Sequence, residues 1–448
     1  MYDIVLKDGL VVDPCNNICG ELNVAVNGGK IARISDRHIE GKKIYDCKGL
    51  VVAPGFVDVH AHEDGLSCDG SINPIITERL LRMGVTTFIG GQCGIGAQDE
   101  EEYRRRYNSQ PVNCALLTAH GALRELAGAA DKYAPATDTQ LEVMCRELEN
   151  RLAVGSYGLS ISPRYIPGTE TMEMLALARV VRMYNGILAA HVRNDCEGSI
   201  EAIAEFIEMG RKTGVRLQIS HIGSIAGYGQ MKRALAMLDA AAADGIDVFA
   251  DCYPYEAFCT SIGSATYDGD FLSRYGDITK FEITEGEFKG SVPSMDVFQR
   301  IRREHPEYLT VAHVMLPEDV EMALCHPRVM LGSDGVLLNG AGHPRAAGAF
   351  ARFLREYVAE RKSLSLYEAV NKMTWGARRF GLKKGCLKSG WDADVVVFNP
   401  QKMQDNATFS EPGLMAEGFC YIWIGGELAV ENDKIVNARL GQALTKTR

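Results

Sequence analysis

Short apolar runs alternate with longer amphipathic stretches through the middle of the chain. The amphipathic stretches have helical spacing, for example over Ser199–Thr213 and Met231–Asp244. Strands alternating with helices predict parallel β-α-β units, and eight of them predict a (β/α)8 barrel of the TIM type. The eight predicted strand segments are GFVDVHAH (55–62), GVTTFIGGQCG (84–94), VNCALLTAH (112–120), YGLSISPRY (157–165), GILAAHVRN (186–194), VRLQISHI (215–222), IDVFADCYPY (246–255) and VMLGSDG (329–335).

A ninth apolar run, LTVAHVML (309–316), does not fit an eight-stranded barrel. It lies in a polar, aromatic-rich segment between the seventh and eighth predicted strands. We therefore assign it to an insertion over about 258–317, which could cover the mouth of the barrel.

The two ends of the chain share a different pattern, with short alternating strands and frequent turns. Asn27, Gly28 and Gly29 separate two such strands near the start, as expected for a β-hairpin. The same pattern returns from about residue 383. We expect residues 1–54 and 383–448 to form one small β-sandwich and residues 55–382 to form the barrel.

Composition and charge restrict the functional class. The 448 residues are 46% hydrophobic, which suits a large core, and the net charge of −10 argues against nucleic acid as the main partner. We expect no membrane span, because no apolar run is long enough, and a cytoplasmic location, because the first residues predict a strand. The 13 cysteines are scattered without a CxxC pair, so we expect most of them to be reduced.

Metal-binding side chains follow several predicted strands. The active site of a barrel lies at the carboxyl ends of its strands, so these side chains are expected to converge. Imidazole, thiolate and carboxylate groups are the ligands that zinc prefers. The pattern therefore predicts a zinc site made from His60, His62, Cys93, His191, His221 and Asp334.

The motifs resemble those of the D-aminoacylase (N-acyl-D-amino-acid deacylase) family of the amidohydrolase superfamily. They occur in that family's order over nearly the whole chain, and the cysteine of GQCGIG and the Tyr-Pro-Tyr segment are the most specific. The matching segments are PGFVDVHAHEDG, GQCGIG, GLSISPRYIPG, AAHVRNDCEGSIEAI, GVRLQISHI, DCYPYEAFCTS, VMLGSDG, HPRAAGAFARFL and MTWGARRFGLKKGCLKSGWDADVVVF.

The resemblance implies two metal positions of different strength. Cys93 would take the place of the bridging carboxylated lysine of other amidohydrolases and would hold the tight zinc with His191 and His221. A second, weaker divalent metal would be bound by His60, His62 and Asp334.

The resemblance also assigns roles in catalysis. Asp334 would be the general base and then the general acid, taking a proton from water and passing it to the departing nitrogen. Tyr165 and Tyr255 would line the substrate site, where the Tyr255 hydroxyl could donate to the developing oxyanion.

One motif departs from the family's pattern. The family often has His-His-Lys after the sixth strand, and its lysine pairs with the substrate carboxylate, but here Ile222 and Gly223 follow His221. An arginine could replace that lysine, since guanidinium groups bind carboxylates in bidentate fashion. Our first choice is Arg345 in a glycine-rich loop after Asp334, and the others are Arg164 and Arg193.

These observations predict a zinc-dependent hydrolase that releases a D-amino acid from an N-acyl-D-amino acid. Its partner would be a small-molecule substrate, and a second copy of the chain is a further candidate partner, giving a homo-oligomer. One alternative keeps the site but changes the substrate to a cyclic amide or an isoaspartyl or other dipeptide. A second alternative is a catalytically inactive amidohydrolase that serves as a binding scaffold.

Overall fold

The computed structural model describes residues 1–446, and every predicted strand segment in the middle of the chain contains a strand. The first three and the last six of these strands form two groups, and within each group neighbouring strands pair in parallel and in chain order, although the last pair skips the insertion. The carboxyl ends of these strands therefore lie at one edge. The strands are Phe56–Asp58, Val85–Gly90, Asn113–Leu116, Thr118–Ala119, Gly158–Ile161, Ile187–Ala190, Arg216–Ile219, Val248–Cys252 and Val329–Leu331.

Helices follow most of these strands and pack their apolar faces against them. The helix predicted over Ser199–Thr213 has those bounds. Gly214 is its C-cap, and the left-handed φ of 69° there suits a residue without a Cβ. The helix predicted from Met231 ends at Ala243. The α-helices are Ile75–Arg82, Glu100–Arg106, His120–Leu126, Asp138–Ala153, Thr171–Met183, Ser199–Thr213, Ile222–Ala226, Met231–Ala243, Leu272–Tyr275, Met295–Glu304, Pro317–Cys325, Arg345–Arg352, Leu366–Thr374 and Gly376–Phe380, and Phe353–Glu360 is a π-helix.

None of the helices within residues 1–446 combines the length and the apolar composition that crossing a bilayer requires.

Both ends of the chain contribute to one nine-stranded sheet. Val51–Pro54 pairs antiparallel with Val395–Phe398, which joins the N-terminal strands to the C-terminal ones. One apolar cluster of this nine-stranded sheet contains Val11, Val52 and Trp423. In spatial order the strands are Lys434–Ile435, Glu427–Glu431, Phe419–Ile424, Val395–Phe398, Val51–Pro54, Tyr2–Asp13, Ile18–Asn27 and Lys30–Ser35, and Gly41–Asp46 pairs with Tyr2–Asp13.

The last strand of the chain differs from the expectation that residues 383–448 all belong to the sandwich. Gly441–Leu444 pairs in parallel with Asn113–Leu116 and antiparallel with Asn108–Gln110, so it extends the sheet of the central strands. The physical reason is that Asn113–Leu116 offers a free edge there, which the C-terminal strand covers. Residues 447–448 of the predicted sandwich segment lie outside the described residues.

The segment between the strands Val248–Cys252 and Val329–Leu331 forms a sheet of its own. Four antiparallel strands make up this sheet, and the extra run LTVAHVML contributes Leu309–Ala312 to it. Its other strands are Phe258–Ser261, Phe281–Ile283 and Gly290–Ser291.

One cysteine pair differs from the expected reduced state. Cys15 and Cys386 form a disulfide that links the two ends of the chain, while the other cysteines are free. Scattered spacing hides such a pair, because the partners are 371 residues apart in sequence.

Candidate metal centre

Four of the predicted ligands form a compact buried cluster at the strand ends. The Cys93 Sγ lies 3.3 Å from His60 Nε2 and 3.2 Å from His221 Nε2. Asp334 Oδ1 lies 3.3 Å from His60 Nε2. The ligand atoms of these four residues all lie within 4.8 Å of one another, and each residue is at most 6% exposed. One thiol, two imidazoles and one carboxylate at this spacing fit a zinc-type divalent cation.

The other two predicted ligands lie beside this cluster. His62 Nε2 is 3.1 Å from Asp334 Oδ1. The His191 ring is 4.5 Å from the His221 ring, measured between centroids. Both rings also interact with the Cys93 thiol. The structure therefore brings all six side chains together around Cys93.

Three of these residues have an unusual backbone. Cys93, His221 and Asp334 have φ values of 55°, 31° and 48°, in the left-handed region that disfavours side chains. Each follows a central strand, so the chain bends sharply where the strand ends. Such conformations cost about 1–3 kcal/mol each and persist only where the surroundings impose them, often at functional sites.

Buried polar groups behind the cluster orient the histidine rings. Asp251 Oδ1 lies 3.0 Å from His60 Nδ1 and accepts a hydrogen bond from the His221 backbone N–H at 2.8 Å. The Ser224 Oγ lies 2.9 Å from His221 Nδ1. Holding the Nδ1 atoms in this way leaves both Nε2 atoms facing Cys93, as metal-binding histidines require.

Charge favours the ionised ligands. Burial opposes ionisation of Cys93, but the adjacent His221 and His60 outweigh it and hold the pKa of the thiol well below its usual value. Burial also opposes ionisation of Asp334, yet the Arg345 guanidinium and the nearby histidines keep the pKa of its carboxyl well below the ordinary range. Both groups are therefore ready to bind a cation.

A small polar cavity of about 20 Å³ opens beside this cluster. Its wall includes Tyr165, whose ring lies 4.7 Å from that of His191. Hydroxyl groups and aromatic rings make up most of the remaining wall. We call this space the polar cavity, and it is lined by Tyr165, His191, Asp195, His221, Ser224, Phe258, Cys259, Thr260, Thr266, Tyr275 and Asp334.

Among the cavity residues that were not predicted from the sequence, Asp195 and Tyr275 contact each other. Asp195 Oδ1 lies 3.3 Å from His191 Nε2, and Asp195 Oδ2 accepts a hydrogen bond from the Tyr275 hydroxyl at 2.7 Å. Burial opposes ionisation of Asp195, but His191 and Arg164 outweigh it and lower its pKa to about 2. Asp195 could have been suspected, because it follows His191 by four residues. No sequence signal indicates Tyr275, which comes from the insertion.

The three predicted arginines have different surroundings. Arg345 pairs with Asp334 itself, Nη2 to Oδ2 at 2.8 Å, and is 1% exposed. Arg164 Nε lies 3.1 Å from Asp195 Oδ2. Arg193 Nε pairs with Glu205 Oε2 at 2.9 Å, and neither residue lines the polar cavity. The partners of Arg345 and Arg164 both line the polar cavity, but Asp334 is a predicted metal ligand and Asp195 is not. Arg164 is therefore the arginine that pairs with a cavity carboxylate outside the predicted ligand set.

Tyr255 lies elsewhere than expected. Its ring packs edge-on against His343 at 5.1 Å, and the Arg352 guanidinium covers its face at 4.6 Å. Its hydroxyl lies against Gly348, in the helix Arg345–Arg352. Tyr255 therefore does not line the polar cavity, whose tyrosines are Tyr165 and Tyr275, because the chain after Val248–Cys252 turns it toward that helix.

Comparisons with known proteins agree with this geometry. Residues 314–420 match the amidohydrolase family. A D-aminoacylase from Alcaligenes xylosoxydans xylosoxydans is 30% identical over 100% of this chain and 98% of its own length.

A solved N-acyl-D-glutamate deacylase from Bordetella bronchiseptica, complexed with zinc and a phosphonate mimic of the tetrahedral intermediate, is 29% identical. It has a TM-score of 0.88 and covers 99% of this chain and 100% of its own. A solved D-aminoacylase with a binuclear metal centre, activated by one metal and attenuated by the second, is 27% identical. Its TM-score is 0.86, with full coverage of both chains.

Proposed function

The chain belongs to the D-aminoacylase family of amidohydrolases, and we propose that it is a zinc-dependent hydrolase that cleaves N-acyl-D-amino acids. The products are a carboxylate and a free D-amino acid. The observation that carries this proposal is the contact of the Cys93 thiol with His60 and His221 beside Asp334. A thiol at that place, with four histidines from three strand ends, supports deacylase chemistry in particular.

We assign the tight metal position to Cys93, His191 and His221, and a second, weaker position to His60, His62 and Asp334. When bound, zinc supplies a Lewis acid that makes water more acidic and polarises a carbonyl oxygen. The thiol is the group that both sets share, since it contacts rings of each. Loss of Cys93 should therefore disturb the whole centre.

Asp334 is the proposed general base and acid. Its Oδ2 is held by Arg345, which leaves Oδ1 facing His60 and His62 at the cavity edge. From there it would take a proton from the attacking water and return it to the departing nitrogen. Arg345 would thus act as a positioning residue for Asp334 and not as the anchor of the substrate carboxylate.

Arg164 is the proposed carboxylate anchor. Its Nη2 donates to the Thr266 carbonyl at 3.0 Å and its Nε faces Asp195, so it is held against two residues of the polar cavity. A substrate carboxylate entering this cavity could share the guanidinium with Asp195, and the Tyr275 hydroxyl could rotate to meet it. The polar cavity would then hold the α-carboxylate end of the amino-acid half of the substrate.

We also propose that the central strands close into a (β/α)8 barrel. A parallel bridge between Ala61 and Gly335, and the hydrogen bond from Asp334 N–H to the His60 carbonyl at 2.7 Å, connect the first strand to the last. Asn113–Leu116 and Thr118–Ala119 are separated only by Leu117, which connects the two groups of strands. The barrel would span residues 55–382 with the insertion at about 258–317, beside a sandwich from both chain ends.

A cyclic amide remains the second candidate substrate. Within the described residues that line the polar cavity there is no lysine or arginine, and the adjacent Arg164 already faces Asp195, so a substrate without a carboxylate leaves no cation unpaired there. A substrate panel on zinc-replete protein separates the two candidates. It contains N-acetyl-D- and N-acetyl-L-amino acids, hydantoins and isoaspartyl dipeptides.

The expected result is hydrolysis of the N-acetyl-D-amino acids with weak or no turnover of the rest. Preferential turnover of hydantoins or isoaspartyl peptides would replace the proposed function. Protein that holds zinc but hydrolyses no member of the panel would favour the binding scaffold.

A further inference from the structure

A second, apolar depression also borders the metal ligands, through His62. It has a volume of about 470 Å³, and its wall comes from the loops that follow the first two central strands. We call it the apolar groove, and it is lined by His62, Glu63, Gly65, Leu66, Ile95, Gly96, Ala97, Gln98, Asp99 and Tyr103.

Large apolar side chains are left accessible in this groove. Ile95 is 57% exposed and Leu66 is 39% exposed, while Tyr103 lies buried at the floor. A single exposed aliphatic residue is ordinary, but two that border one concave surface mark a binding site. Gly65 has open space around its Cα, which keeps this side of the groove wide.

The polar side chains around the groove already have partners within the protein. Glu63 accepts hydrogen bonds from the backbone N–H groups of Gly91 and Ala97 at 2.7 and 3.1 Å. Asp99 caps the helix Glu100–Arg106 by accepting from the Glu102 N–H. The apolar atoms are therefore what the groove offers to a ligand.

The groove is continuous with the metal centre. His62 lines it, and the same ring lies 3.1 Å from Asp334 in the cluster. A substrate with its amide at the cluster would thus have one half in the polar cavity and the other half directed toward the groove. The described lining residues include no lysine or arginine, so a neutral alkyl chain suits the groove better than an anionic one.

We propose that the apolar groove receives the acyl group of the substrate and selects N-acyl-D-amino acids with extended alkyl acyl chains. This inference rests on the proposed function and adds a substrate class to it. Each methylene that enters the groove should raise affinity by up to about fourfold, the ratio that corresponds to about 0.8 kcal/mol.

The test varies only the acyl group. The kcat/KM values of zinc-replete protein are measured for one D-amino acid carrying an acetyl, butyryl, hexanoyl or octanoyl group. We expect kcat/KM to rise along the series in the wild type. The slope should flatten in Ile95→Ser, and Ala97→Phe should reject the longer chains while still accepting acetyl.

Ile44→Ser is the matched control, because Ile44 is similarly exposed, at 52%, but lies in the nine-stranded sheet. It should keep the wild-type slope. A wild-type slope of zero, or an equal change in Ile95→Ser and Ile44→Ser, would overturn the inference while leaving the proposed function intact. An altered oligomeric state of Ile95→Ser with an unchanged slope would instead make the groove an interface between copies.

A binding measurement separates failure of the groove from failure of the proposed function. Straight-chain carboxylates from acetate to octanoate are titrated into zinc-replete protein by calorimetry. Affinity that rises with chain length in the wild type but not in Ile95→Ser supports the groove even without turnover. Affinity that is independent of chain length overturns it.

Discussion

The polar cavity and the apolar groove flank the same ligands but are built differently. The cavity gathers residues from several strand ends and from the insertion, and its charged groups form pairs such as Arg164 with Asp195. The groove is made from two short stretches, 62–66 and 95–103, and its Glu63 carboxylate is already hydrogen-bonded to backbone N–H groups. Under the proposed function, hydrogen bonding would select the amino-acid half of the substrate, whereas buried apolar area would select the acyl half.

This contrast can be tested by where a change acts. A change in the ligand cluster should affect every substrate, and a change in the polar cavity should depend on the amino-acid half. A change in the apolar groove should depend on the acyl chain alone. The following predictions run from the largest expected effect to the smallest.

Cys93→Ala should remove the tight zinc and abolish activity on every substrate, with a loss of at least about 10⁴-fold, because zinc is the source of activated water. Metal content by mass spectrometry and kcat/KM give the two readouts. Cys114→Ala is the matched control, since Cys114 is also buried but lies within the strand Asn113–Leu116. Full zinc content in Cys93→Ala would show that the thiol is only a packing residue.

Asp334→Asn should lower kcat about 10³-fold, the usual scale for losing an acid–base group, while most of the tight zinc remains. The loss should be the same for every acyl chain, because the proton transfer is common to all substrates. Steady-state kinetics on the acyl series checks this point. If Asp334→Asn kept more than about a tenth of the wild-type rate, the loss would be too small for an acid–base group, and another group would carry the proton transfer.

Arg164→Met should raise KM for N-acyl-D-amino acids by about 10- to 100-fold, since a hydrogen bond to a charged group contributes roughly 1.5–3 kcal/mol. The matching amide without the α-carboxylate should be little affected. Arg193→Met is the control, because Arg193 also pairs with a carboxylate, that of Glu205, but away from the cavity. Equal losses on both substrates would mean that Arg164 only supports Asp195 and, through it, His191.

Tyr275→Phe should lower kcat/KM about fivefold, because it removes one hydrogen bond to Asp195, worth roughly 1 kcal/mol. The effect should be equal for acetyl and octanoyl substrates, in contrast to changes at Ile95. Kinetics on those two substrates provides the measurement. A loss of kcat/KM for only one acyl length would mean that the acyl group also contacts the polar cavity, so the two regions would not bind separate halves of the substrate.

Much of this protein could be predicted from its sequence. The parallel strands were recognisable because apolar β-branched runs alternate with amphipathic helices, and the structure confirms a strand in each predicted segment. The ligand cluster was recognisable because parallel strands end at one edge, so residues at those ends must converge whatever the loops do. Local patterning and a repeated topology were sufficient for both.

Only the tertiary structure decided how the loop residues pair. Arg345 was expected to meet the substrate and instead pairs with Asp334, Tyr255 turns toward the helix Arg345–Arg352, and Tyr275 reaches Asp195 from 80 residues away. The sequence could not predict these contacts, because the direction of a loop side chain depends on long-range packing and has no periodic signature. The last strand and the Cys15–Cys386 pair follow the same rule: their partners are distant in sequence and were selected by a free strand edge and by the meeting of the two chain ends.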